Sequence, residues 1–147
     1  MTDAEGGCFC GAIRYRVTGE PIDAGYCHCR MCRRAAGAPV LAWGSWPQDR
    51  FRWLRGEPTV LASSADAQRL FCGRCGTHVL FRDATEPEIA EVSLATLDDP
   101  SAARPRHHIW TASRIPWFEL ADALPRYPDG GVEERRAQRQ GSHEEEP

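Results

Sequence analysis

What most limits how this chain can fold is the placing of its seven cysteines. They fall in three tight clusters: Cys8-Phe9-Cys10, Cys27-His28-Cys29-Arg30-Met31-Cys32, and Cys72-Gly73-Arg74-Cys75. An odd number leaves one thiol over in any complete disulfide scheme. Short, clustered spacings favour metal ligation over bridges. A Cys-x-Cys in an extended segment puts both thiols on one side of the chain. A Cys-x-x-Cys turn followed by glycine is a knuckle whose backbone N–H groups point at the sulfurs. The two pairs together, Cys8, Cys10, Cys72 and Cys75, supply four thiolates, the closed tetrahedral set of a structural zinc ion. A redox dithiol at Cys72 and Cys75 competes with that reading, but such a pair opens a helix in a βαβ setting. Here Gly76-Thr77 leads into another strand-like run.

Once four cysteines are assigned, Cys27, Cys29 and Cys32 remain. Three protein ligands with a vacant fourth position describe a catalytic zinc, where water or substrate completes the shell. His28 lies between two ligands on an extended segment, so its side chain is expected to point away from them. His107 and His108 face opposite sides of a strand, so at most one is expected to point inward. An inward histidine would either pack in the core, shuttle a proton or close the site, and His108 is the candidate catalytic histidine. Arg30, Arg33 and Arg34 crowd the trio, either as a solvated helix face or as charge that stabilises thiolates and attracts a substrate carboxylate. Arg30 is the candidate among them.

The rest of the sequence predicts a mainly β domain. Apolar and polar residues alternate over 13–17, and short strand-like runs recur at 24–26, 40–43, 51–54, 59–62, 69–71, 78–81, 91–94 and 107–111, separated by Gly/Pro turns. A short helix is expected over 30–36, stopped by Gly37, and a late helical turn or two over 117–124. The domain organisation expected is a flexible lead at 1–6, one zinc-binding domain at 7–128, and a disordered charged tail at 129–147. The formal charge of −3 resides in that tail, so the body is neutral, which argues against nucleic-acid binding. No apolar stretch approaches the length of a membrane helix, and the acidic N-terminus lacks a secretory h-region. A cytoplasmic location is expected. All 18 basic residues are arginine, which points to a GC-rich bacterial genome.

These residues carry a family resemblance. The segments Gly7-Cys8-Phe9-Cys10-Gly11-Ala12-Ile13-Arg14-Tyr15, Cys27-His28-Cys29-Arg30-Met31-Cys32-Arg33 and Arg69-Leu70-Phe71-Cys72-Gly73-Arg74-Cys75-Gly76-Thr77 resemble the glutathione-dependent formaldehyde-activating enzyme family, which includes the centromere protein V-type domains. Leu97-Asp98-Asp99-Pro100, His108-Ile109-Trp110, Trp117 and Leu124-Pro125 extend the match. The resemblance implies an Mss4-like fold of several coiled antiparallel sheets. It implies a structural zinc at Cys8, Cys10, Cys72 and Cys75, and a second zinc at Cys27, Cys29 and Cys32. The activity implied is carbon–sulfur lyase chemistry, joining glutathione to formaldehyde, so the expected partners are a small thiol and a small carbonyl. A non-catalytic, zinc-stabilised binding module is the alternative, with tryptophans 43, 46, 53, 110 and 117 either in the core or on a contact surface. Thiol redox or metal sensing by the trio is a third.

Overall fold

A computed structural model describes residues 2–135. Among the described residues, ten strands form two sheets. β1 (Asp3–Gly7), β2 (Arg14–Thr18) and β5 (Phe51–Arg55) make a three-stranded antiparallel sheet in the order β1-β2-β5. The larger sheet has seven strands in the order β10-β3-β4-β9-β8-β7-β6. Its members are β3 (Asp23–Cys27), β4 (Leu41–Pro47), β6 (Thr59–Ala62), β7 (Ala67–Phe71), β8 (His78–Asp83), β9 (Ile89–Ser93) and β10 (His108–Ile109). Among these strands only β10 pairs in parallel, against β3. A helix, α1 (Arg30–Ala36), follows β3; Gly37, at φ 61°, stops it and returns its N–H to the Arg33 carbonyl. The expected mainly β architecture is what the chain adopts.

The alternation seen in β2 does what a period of two requires. Tyr15 and Val17 are fully buried while Arg14, Arg16 and Thr18 are half-exposed. They join Trp46, Leu70, Val79, Leu80 and Val92 in one core shared by both sheets. Of the five tryptophans, Trp43 and Trp46 are buried, Trp53 packs against the core, and Trp110 and Trp117 are exposed.

Four expectations change. Residues 1–6 are not a flexible lead: Asp3–Gly7 is a strand, paired in register from Asp3↔Thr18 to Gly7↔Arg14. Its glycines are there for space, because Gly6 lies against the Tyr15 hydroxyl and the Thr96 carbonyl. The strand expected at 107–111 shortens to His108–Ile109, since Trp110 turns left-handed at φ 58°. No helix forms over 117–124. Arg114 donates to the Phe118 carbonyl, and Arg126 donates to the carbonyls of Leu120, Asp122 and Leu124. Two of these carbonyls, Phe118 and Leu120, are acceptors that a helix there would use, and both are taken by guanidinium groups. Finally, contacts with the body continue past 128, where the charged tail is expected to begin. Arg135 donates to the buried Asp23 carboxylate at 2.7 Å and packs over the Trp43 ring. The remainder of the expected disordered tail, residues 136–147, lies outside the described residues.

Candidate active site and metal centres

The two cysteine pairs meet at the junction of the sheets. Cys8 and Cys10 follow β1, while Cys72 and Cys75 sit between β7 and β8. All four Sγ atoms lie within 4.8 Å of one another. Cys8–Cys10 and Cys10–Cys72 are 3.6 and 3.7 Å apart, and a tetrahedral zinc with Zn–S near 2.3 Å sets sulfurs about 3.8 Å apart. Cys8-Phe9-Cys10 is not extended as expected. It is a turn closed by a Gly11 N–H to the Cys8 carbonyl, with Gly11 at φ 82°. Cys72–Gly76 repeats the arrangement, with Gly76 at φ 84°. Each turn aims an N–H at a sulfur, Ile13 to Cys8 at 3.2 Å and Cys75 to Cys72 at 3.4 Å. The Phe9 N–H donates to the Thr77 hydroxyl, tying the two knuckles together. Hydrogen bonds from Thr77 lower the Cys75 thiol to about 5. The donor set and its spacing fit a closed tetrahedral ion.

The trio is built differently. Cys27 ends β3, Cys29 caps the N-terminus of α1 by accepting from the Cys32 N–H at 3.2 Å, and Cys32 lies in the first turn. Their sulfurs also lie within 4.8 Å of one another, with no fourth His, Cys or carboxylate in the group among the described residues. Hydrogen bonds from Cys27 and then Cys32 press the Cys29 thiol down to about 2, while the same contacts raise Cys27. The set is therefore poised around a thiolate.

These sulfurs open on a cavity of about 310 Å³ lined also by Arg69, His78 and Glu91. Trp43, Phe81 and Ile109 give it apolar walls, and Arg135 reaches it from the C-terminal segment. Sequence reasoning singled out none of Arg69, His78, Glu91 and Arg135 as site residues. Arg69 is 5% exposed. Its guanidinium points one N–H at Cys32 Sγ, 3.6 Å away, lies 3.4 Å from His78 Nε2 and stacks over Phe81. Among the described residues it has no carboxylate partner. A buried cation without a counter-charge is costly, and three thiolates around a divalent ion carry a net charge of −1, which supplies one. That balance is the second sign that the trio suits a metal. His78 is held down to about 4 by burial and then by Arg69. Arg69 donates to its Nε2, so Nδ1 carries the hydrogen and donates to the Ser93 hydroxyl at 2.8 Å.

The other sequence candidates lie elsewhere. Arg30 and Arg34 are exposed, Arg33 half-exposed, and none lines the cavity. His28 turns away from the sulfurs, as expected. His107, just before β10, bonds Asp23, while His108, in β10, bonds His28, and both are buried, against the expectation of one inward side chain. His107 fits over Gly25, where a Cβ would collide with its ring, and bonds Asp23 at 2.8 Å. Burial pushes the Asp23 carboxyl up, but His107 and Arg135 more than offset it. His108 packs on Tyr26 and His28 in a separate cavity. Neither histidine completes the trio.

A two-sheet β scaffold with one closed and one open cysteine centre, the open one facing a cavity, defines a narrow class of protein. The sequence profile of the family described as "Glutathione-dependent formaldehyde-activating enzyme" matches residues 3–113. The chain belongs to that family. It is 27% identical to a Halomonas elongata protein named "Putative glutathione-dependent formaldehyde-activating enzyme", over 90% of this chain and 94% of that one. An uncharacterized lyase of Schizosaccharomyces pombe is 35% identical over 55% of this chain and 58% of its own length. A crystal structure of a Rhodobacter sphaeroides protein superposes with a TM-score of 0.55 at 21% identity, covering 84% of this chain and 98% of that one.

Proposed function

We propose that this chain is a zinc-dependent carbon–sulfur lyase-type enzyme. It joins a thiol of the glutathione class to formaldehyde or a similar small carbonyl, working in the cytoplasm with one structural and one catalytic zinc. The observation that carries this is the trio Cys27, Cys29 and Cys32, three ligands without a fourth among the described residues, opening on a cavity large enough for a peptide thiol. Zinc held there would lower the pKa of a coordinated thiol so that it ionises at neutral pH.

The chain's own residues do the rest. Arg69 and Arg135 present guanidinium groups to the cavity, placed to pair with substrate carboxylates. These replace Arg30 in that role. Trp43, Phe81 and Ile109 exclude water from the reacting atoms. His78 is the histidine that shares the cavity with the trio, and it takes the proton-handling role expected of His108.

Cobalt(II) substitution tests the reading. Glutathione is expected to shift the absorption bands of the open centre, and NMR of a glutathione–formaldehyde mixture is expected to show faster S-hydroxymethylglutathione formation with enzyme present. An unchanged cobalt spectrum would mean a sealed site and favour the binding-module alternative.

A further inference from the structure

Behind the three-cysteine loop lies a group of side chains that the proposed chemistry leaves unused. His28, flanked in sequence by Cys27 and Cys29, is 2% exposed. Its Nε2 lies 2.8 Å from Nδ1 of His108. His108, 1% exposed, places its own Nε2 at 2.9 and 3.1 Å from the two Asp122 carboxylate oxygens. Arg126 holds Asp122 from the other side at 3.1 Å while gathering the carbonyls of residues 120, 122 and 124. A continuous line of contacts therefore runs from the 114–126 loop, through β10, to the loop that carries the ligands.

The hydrogens along this line follow from the carboxylate. Ionised Asp122 only accepts, so His108 carries its hydrogen on Nε2. Its Nδ1 is then an acceptor, and His28 donates to it from Nε2. That leaves His28 Nδ1 as a lone pair, and this atom is enclosed with no partner. The reverse assignment sets a His108 lone pair against the carboxylate and strands a buried N–H on His28. Orphaned donors are rarer in native structures than under-satisfied acceptors.

We propose that Asp122, His108 and His28 form a positioning chain that fixes the ligand loop from behind, so that the 114–126 loop sets how tightly Cys27 and Cys29 hold their metal. The His28 N–H donates to the Ile109 carbonyl at 3.0 Å, which holds the edge of the loop. The ring chain sets the loop's rotation about that edge. With a ligand on each side of His28, any displacement of its ring moves both sulfurs. Hydrogen-bond partners outside a metal's own ligands are commonly worth 10–100-fold in metal affinity. The proposal rests on the trio binding a metal, and not on the thiol-adding reaction.

The test uses the full chain loaded with zinc, with Asp122→Asn, Asp122→Ala and Asp122→Glu. Long-range ¹⁵N–¹H correlation NMR reads the imidazole tautomers, and competition with a chromophoric chelator reads the zinc affinity of each centre. Wild type is expected to show Nε2–H at both His28 and His108. In Asp122→Asn the new side-chain amide can turn its N–H toward His108 Nε2, and both tautomers are then expected to invert. Asp122→Asn and Asp122→Ala are expected to weaken zinc at the trio about tenfold with the four-cysteine centre unchanged, and Asp122→Glu to restore both readouts. The proposal fails if wild-type His108 carries its hydrogen on Nδ1, or if trio affinity is unchanged in both the asparagine and the alanine variant. It fails equally if both centres weaken together, which would report a general loosening of the fold.

Discussion

Replacing Glu91 by glutamine should stabilise the protein, increasingly so as the pH rises. Glu91 sits mid-strand in β9 opposite Ser45 and Phe81, on the wall of the cavity. Burial, helped by Glu86, pushes its carboxyl up from 4.5 to about 7, against the pull of Arg135. The native state thus keeps a proton that the unfolded chain releases above 4.5. Below that value both states are protonated and Glu91 costs nothing. Between 4.5 and 7 the unfolded state gains progressively from ionising, and above 7 the cost is constant. From these two values the penalty is about 2 kcal/mol at pH 6 and about 3 kcal/mol at pH 8. E91Q removes the titration while keeping the shape of the side chain. Urea unfolding of both proteins in saturating zinc, at pH 6 and pH 8, isolates the term, because metal release affects the two alike. The stability difference in favour of E91Q is expected to grow by about 1 kcal/mol across that interval. A difference that stays flat, or shrinks with pH, would refute the assignment of a protonated carboxyl.

Further outcomes follow from single contacts. Cys32→Ser is expected to lower zinc from two ions to one per chain by metal analysis, while the far-UV circular dichroism stays that of the folded protein. Arg69→Met removes the cation beside Cys32. Charge-assisted contacts of this kind contribute roughly 1.5–3 kcal/mol, so cobalt titration should show the trio weakened about tenfold or more. Gly6→Ala forces a Cβ to 2.5 Å from the Thr96 carbonyl oxygen and against the Tyr15 hydroxyl. Overpacking at such a site costs about 1–3 kcal/mol, readable as a lower urea midpoint.

The cysteine centres were legible in the sequence because thiol chemistry needs close spacing, and spacing survives any folding. β2 was legible because Tyr15 and Val17 alternate with arginines. β1 was not, because Asp3–Gly7 has almost no strand propensity; it is held by its register with β2 and by the small volume of Gly6. The cavity's polar residues escaped for a related reason. Arg69 and His78 lie in ordinary-looking strands flanking the Cys72 knuckle, and nothing local says that one face of those strands looks across at Cys32. Arg135 was hidden further still, since a charged C-terminal run reads as solvated until a buried Asp23 is found to receive it. Arg30 is next to the ligands in sequence, yet proximity on a helix face that points outward does not bring a side chain to the sulfurs.

The position of Arg69 and His78 also couples the two centres. Arg69 precedes the Cys72–Cys75 knuckle on β7 and His78 follows it on β8, the two strands pair antiparallel, and both side chains line the cavity with the trio. The four-cysteine group therefore anchors the wall that faces the trio, although none of its own sulfurs lines that cavity. This predicts an asymmetry between the centres. Loss of a trio ligand should silence thiol binding and leave the sheets in place. Cys10→Ser removes the exposed ligand of the closed centre and should cost more than its own ion. With the knuckle released, Arg69 and His78 lose their common anchor, and the cobalt band shift on adding glutathione should weaken even though Cys27, Cys29 and Cys32 are intact. A Cys10→Ser protein that lacked the closed-site metal but kept the full glutathione-induced shift would show that the two centres act independently.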